Sequence, residues 1–301
     1  MIANRYSHWS VWTLISVGFP LALVWGQVAC AQRAFDTPEA AAHALVDAAK
    51  ANDENALIDI FGAKYRSLVA TGEQENREKF ARAAAKHLVL RPEGADKVIV
   101  VTGFDAWPLP IPIVRQGTTW HFDAAEGSEE ILNRRIGRNE LSAIDILRGY
   151  VAAQRQYASK PRDGTRVRAF ARKVVSSPGK RDGLYWPADA GKHEEMSPFG
   201  PLIRDPGKHK LGEPYNGYYF KILTRQGSAA PGGAYSYIIN GKMLAGYAMV
   251  AAPARYGETG IKTFIVNHYG DVYETDLGPD TLKKLNAMTE YNPTSKWKLI
   301  E

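Results

Sequence analysis

The spacing of apolar residues changes character repeatedly along this 301-residue chain. Residues 11–24 (VWTLISVGFPLALV) form a nearly unbroken apolar run. Helical spacing follows. Phe35-Asp36-Thr37-Pro38-Glu39 puts a hydroxyl at an N-cap and proline at the first helical position. Ala41, Ala42, Leu45, Val46 and Ala49 then recur on one helical face. A second helix is expected over Glu54 to Phe61, stopped by Gly62, and a third over Glu73 to Leu88 with Phe80, Ala84 and His87 along one side. After Gly94 the pattern shortens to strands, at Lys97 to Thr102 (KVIVVT), Leu109 to Arg115 and Thr118 to Asp123.

Beyond that sheet lies a charged stretch, SEEILNRRIGRNE (Ser128 to Glu140), in which Gly137 is expected to interrupt any helix. Asn139 is a suitable cap, so a helix is predicted from there to about Ser159, with Ala143, Ile146, Leu147, Tyr150, Val151 and Tyr157 as its buried stripe. Lys160 to Pro214 is rich in Gly, Pro and Lys/Arg and is expected to form a long loop. Strands are predicted at Gly217–Thr224, Tyr235–Asn240, Tyr247–Ala252, Lys262–Asn267 and Asp271–Thr275, with Asn267-His268-Tyr269-Gly270 turning the last hairpin. A closing helix is expected over Pro279 to Thr289. The expected class is α+β in two modules, residues 33–125 and 138–290, joined by a junction at 126–137 and followed by a tail at 291–301. In its order of three helices and a small curved sheet, the first module resembles the nuclear-transport-factor-2-like fold.

The apolar run at the start also has chemical company. Arg5 is the only charged residue among the first 31, and Ala29-Cys30-Ala31 supplies small residues where a signal peptidase cuts. A positive start, a short apolar core and an A-x-A site describe an export signal. Its 14 apolar residues fall short of the roughly 20 needed to span a bilayer. Cleavage is expected after Ala31, giving a periplasmic or secreted protein; an uncleaved anchor and lipid attachment at Cys30 are the alternatives. Cys30, the only cysteine, leaves with the signal, so no disulfide, thiolate ligand or cysteine nucleophile is expected afterwards. The chain's formal charge of +6 falls to +5 without Arg5, which suits ordinary solubility or loose contact with anionic polymers. No later run reaches membrane length, so no stable membrane insertion is expected after cleavage.

Several segments together carry a family resemblance. EEILNRRIGRNELSAI (Glu129 to Ile144), PGKRDGLYWP (Pro178 to Pro187), SPFGPL (Ser197 to Leu202), GYYFKIL (Gly217 to Leu223), APGGAY (Ala230 to Tyr235) and the stretch Tyr247 to Gly278 resemble the bacterial family catalogued as domain of unknown function 2950. That resemblance implies a family without implying an activity. The second module is also similar in order to the globular part of type IV pilin-like proteins. Thr259 to Gly270 (TGIKTFIVNHYG) matches their characteristic hairpin. A pilin helix, however, follows about 20 apolar residues without a break, whereas here EEILNRRIGR precedes it. Fibre assembly by the pilin route is therefore not expected.

Catalytic motifs are sparse. His193-Glu194-Glu195-Met196-Ser197 begins like a zincin motif, but Ser197 stands where the second histidine belongs. His43, His87, His121, His193, His209 and His268 are scattered, and neither a metal nor another cofactor is expected. Glu140 and Asp182 could form a carboxylate pair for glycoside chemistry, although spacing alone does not set their separation. Two candidate binding clusters remain. Arg134, Arg135, Arg138, Asn139 and Glu140 could grip a carboxylate or phosphate, or pair with Glu129, Glu130 and Asp145. Asp182, Tyr185 and Trp186, in KRDGLYWP, could capture a glycan or peptide, or plug their own loop into the core. Arg162, Arg166, Arg168, Arg172 and Lys173 are expected to form a solvated face, with no nucleic-acid partner. The leading expectation is an exported, non-catalytic module that binds another envelope protein or a cell-surface glycan, or assists assembly. A periplasmic hydrolase of cell-wall or glycan material and a pilin-related secretion component are the alternatives.

Overall fold

The computed structural model describes residues 32–70, 74–162, 166–188, 194–200 and 213–300. The expected export signal with its Cys30, and also His193 and His209, lie outside them. The described chain separates into two compact units, residues up to 108 with 113–122, and residues 109–112 with 123 onward.

The first unit begins as its sequence dictates. Helix α1 (Pro38–Ala51) has Thr37 as its cap, the side chain accepting from the Ala40 amide at 3.1 Å, and ends on Asn52 in the left-handed region. Its face of Ala41, Ala42, Leu45, Ala48 and Ala49 is buried. Helix α2 (Glu54–Phe61), capped by Asp53, leads through a single 3-10 turn to the short α3 (Arg66–Ala70) and then α4 (Gln74–Lys86). The expected third helix stops two residues early. Leu88 instead opens a strand, β1 (Leu88–Pro92), which continues into β2 (Lys97–Thr102), β3 (Trp107–Pro108), β4 (Ile113–Gln116) and β5 (Thr119–Phe122). These form an antiparallel sheet in the order β1-β2-β4-β5, with β3 also on β2. Val98 to Thr102 are all buried, so β2 is the central strand in packing as well as in pairing. Phe61 meets Phe122 edge-on at 5.6 Å in the core below.

In the second unit, α5 (Ala124–Tyr157) is one helix of 34 residues. This corrects the break expected at Gly137 and the start expected at Asn139. The cap is Asp123, whose carboxylate accepts from the Glu126 amide at 2.9 Å. Gly137 costs about 1 kcal/mol of helix propensity, too little to interrupt a helix with a tertiary face on either side of it. Asn139 cannot cap because its side chain is committed elsewhere, as described below. Among the described helices, none is long and apolar enough to cross a membrane.

The strands that follow are β6 (Tyr218–Leu223), β7 (Arg225–Gln226), β8 (Tyr235–Ser236), β9 (Ile238–Ile239), β10 (Lys242–Met243), β11 (Ala248–Pro253), β12 (Lys262–Asn267) and β13 (Val272–Asp276). Helix α6 (Thr281–Ala287) and β14 (Lys298–Leu299) close the chain. The main sheet is antiparallel, β14-β13-β12-β11-β6. The C-terminal half of α5 lies against β11 and β12, and every residue of β11 is buried. Its small residues, AMVAAP, let neighbouring elements approach closely. Lys221 on β6 donates to the carbonyls of Leu285, Asn286 and Met288 at 2.8 to 3.1 Å, closing the C-terminal end of α6 with a cation. Helices and antiparallel sheets occur in both units, and among the described residues no sheet closes into a barrel, so the class is α+β.

The expected turn holds, with Gly270 at a φ of 102°. Its neighbour His268 is pressed between the rings of Tyr237, Tyr247 and Tyr269. Burial, assisted by the charge of Arg155, lowers the imidazole pKa from 6.5, against a backbone contact at Tyr247 that works the other way. A base whose folded pKa is lowered contributes stability in full above its unfolded value and loses it as pH falls through the folded one. Melting temperatures at pH 7.5 and 5 should therefore diverge more in the wild type than in His268→Gln. An equal pH response in both proteins would rule out this contribution.

Candidate functional site

The cluster around Arg134 does not assemble into one grip. Arg134 donates to Glu130 one turn earlier at 2.7 Å, while Arg135 and Arg138 extend into solvent. Asn139 and Glu140 turn instead toward the loop before β12. The Asn139 amide donates to the Thr259 carbonyl at 2.9 Å, and one Glu140 oxygen accepts from the amides of Ile261 and Lys262, both at 2.9 Å. Glu140 thus satisfies two backbone donors that the strand ladder does not reach. Gly217 lies so close to Asn139 that a Cβ there would sit 2.7 Å from the amide nitrogen. These two side chains fasten α5 to the sheet.

The second cluster is also held by local bonds. Among the described residues after α5 no helix or strand forms before β6, as expected of a long loop, but residues 166–188 are a strap pinned at short intervals. Phe170 pairs with Met243, and Val175 with Tyr185. Asp182 accepts from the Ser177 amide at 2.7 Å, the Ser177 hydroxyl at 2.9 Å and the Lys173 ammonium at 2.7 Å. The ammonium contact, followed by the Ser177 amide, holds the Asp182 carboxyl down to about 2. Because its folded pKa is depressed from 3.8, its stabilisation is present above that value and lost as pH falls toward 2. Thermal melts between pH 5 and 2 should show this loss in the wild type, and a flatter profile in Asp182→Asn. Parallel profiles would contradict the assignment.

Trp186 is buried, and its indole donates to the Glu195 carbonyl at 2.8 Å. Tyr185 is partly buried and packs on the same core. The ring of Trp186 carries the guanidiniums of Arg162 and Arg181 at 5.0 and 5.5 Å. Arg162 also lies 4.8 Å over Tyr157 and bonds both the Tyr157 carbonyl and Glu195. Its side chain is only 7% exposed, which corrects the expectation of a solvated face at this residue. A guanidinium can be buried this way because the two rings cover it while a carboxylate and a carbonyl meet its edges. Glu195 serves three cations at once, Lys160, Arg162 and Arg181, at 2.9 to 3.0 Å.

Beside this stack opens a cavity of about 450 Å³. Its wall joins the end of α5, the strap around Phe170 to Lys173, and β10. Among the described residues, Arg162, Arg172, Lys173 and Lys242 line it with one carboxylate, Asp182, and Phe170 supplies apolar wall over the buried Met243 position. Of the candidate binding residues named from sequence, Asp182 lines this cavity, together with Arg162, Arg172 and Lys173, which were expected only as a solvated face. Lys242 and Met243 were missed, because nothing local distinguishes two residues of a two-residue strand. The density of Arg and Lys near Phe170 was the available signal. Among the described residues, no three His, Cys, Asp or Glu side chains converge as they would around a metal ion.

Comparison with known proteins adds one result. A family model described as "Protein of unknown function (DUF2950)" matches residues 32–300. No curated protein and no solved structure matches the chain. The resemblances to pilin-like and NTF2-like folds therefore rest on the order of elements that first carried them.

Proposed function

From the premise that this chain belongs to the DUF2950 family, whose description names no activity, we propose that it is an exported, non-catalytic binding module of the cell envelope. The cavity beside α5 carries this reading, with four cations and one carboxylate among the described residues of a partly apolar wall. Envelope polymers are rich in carboxylates and phosphates, and such a wall complements them. The leader pattern of residues 1–31 supplies the address.

The two carboxylates that would serve a hydrolase have other work. Glu140 is bound to two backbone amides, and Asp182 to a lysine and a serine. The Lys173 ammonium and the Ser177 donors favour the ionised form of Asp182, which does not suit the proton donor of glycoside cleavage. The binding reading is tested by expressing the full chain, recovering the processed protein and sedimenting it with purified cell-wall sacculi. The expected result is a protein that pellets with the sacculi and releases no soluble reducing ends. Release of reducing ends would establish a hydrolase. Recovery from the cytosol with residues 1–31 intact would refute export.

A further inference from the structure

The cavity has more structure than a general basic surface requires, and its donors divide into two kinds. Lys173 is committed to Asp182, and Arg162 is held by Glu195, the Tyr157 carbonyl and two rings. These build the wall. Arg172 and Lys242 differ. Arg172 is exposed and donates through a single guanidinium nitrogen to the Gly241 carbonyl at 3.2 Å. That bond places its fork one residue from Lys242, which is half-buried in the same wall. Two cations thus stand together at one edge of the cavity. The Phe170 amide donates to the Met243 carbonyl at 2.8 Å, which holds the partly buried Phe170 in the wall beside them, while Met243 itself is fully buried.

Resting on the binding reading above, we infer that this cavity takes an acidic saccharide. Its carboxylate or phosphate would lie between Arg172 and Lys242, and its ring against Phe170. Three observations lead there. A planar guanidinium fork beside an ammonium recognises an oxyanion by paired hydrogen bonds as well as charge. A volume of about 450 Å³ exceeds what a bare inorganic ion fills and lies in the range of small-molecule sites. Aromatic surface beside charged donors suits a ring with one apolar face and polar edges. Asp182, already saturated by Lys173 and Ser177, keeps Lys173 from competing for the ligand's anion.

Calorimetric titration of the processed protein at low salt tests this with four probes: galacturonate, glucose 6-phosphate, glucose and inorganic phosphate. Galacturonate or glucose 6-phosphate should bind, showing which anion is preferred. Binding should weaken at least tenfold in the double variant Arg172→Gln, Lys242→Gln. It should change less than twofold in Arg148→Gln, Lys283→Gln, a pair of exposed positions with the same loss of charge. The assignment is overturned if neither acidic sugar binds, if glucose or inorganic phosphate binds as tightly as the sugars, or if both double variants lose affinity equally. Sedimentation with sacculi separates the two claims. A wild type that still pellets but binds no acidic sugar loses this site and keeps its envelope role. Melting temperatures within a few degrees of wild type exclude misfolding of the variants.

Discussion

Tyr150→Ala destabilises the second unit by about 4 kcal/mol, the range for removing a fully buried large side chain from a packed core. Tyr150 is wholly buried on α5, meets Tyr247 edge-on at 5.6 Å, and donates to the Ala248 carbonyl at 3.2 Å. Its hydroxyl also accepts from the Gln154 amide at 3.0 Å, and Gln154 in turn bonds both the carbonyl and the amide of Ala171. Burial pushes the phenol far above its ordinary value, so the hydroxyl stays protonated at every accessible pH. The alanine variant leaves a cavity under β11 and strips Gln154 of one partner. Tyr150→Phe keeps the ring and should cost about 1 to 2 kcal/mol, the price of the hydroxyl's hydrogen bonds. Urea denaturation followed by tryptophan fluorescence resolves the two variants. A phenylalanine variant as unstable as the alanine one would mean that the hydrogen-bond chain, rather than ring packing, holds α5 on the sheet.

Glu140→Ala is the second large effect, about 3 kcal/mol, because it orphans two backbone amides that shared one charged acceptor. The Ile261 and Lys262 amides lose their partner at the start of β12, where Gly260 already lies against the Tyr218 hydroxyl with no room for a Cβ. The loop cannot easily close in to compensate. Glu140→Gln keeps an acceptor oxygen at the same reach and should cost about 1 kcal/mol, since the lost charge assistance accounts for roughly half of such a bond. Hydrogen exchange gives the local readout. In the alanine variant the amides of residues 261 and 262 should exchange faster while those of β11 stay protected. Uniform loss of protection would show that Glu140 supports the whole unit instead of this one junction.

These two residues mark where local reading stopped. The buried stripe of α5 from Ala143 to Tyr157 was legible, because helical period alone places those side chains on one face. So were the cap at Thr37, the strands Lys97–Thr102 and Lys262–Asn267, and the glycine of the last turn. Each depends on residues within a few positions of one another. The helix start was misplaced for the opposite reason. Asn139 has the side chain of a cap, but it spends its amide on Thr259, 120 positions away, and Glu140 reaches Ile261 and Lys262 across a similar interval. No window of sequence contains both ends of those bonds.

The same division applies to the site. Sequence alone established the family resemblance, the α+β class and the basic character of residues 160–173, since composition and short-range periodicity carry all three. Only the folded chain decided which charges are used up and which remain. Arg162 and Arg172 are alike in sequence, yet one is sandwiched between Tyr157 and Trp186 and the other reaches past Gly241 to the cavity edge. A guanidinium's role depends on what surrounds it in space, because desolvation and hydrogen-bond partners come from segments that meet only when the sheet and strap have closed.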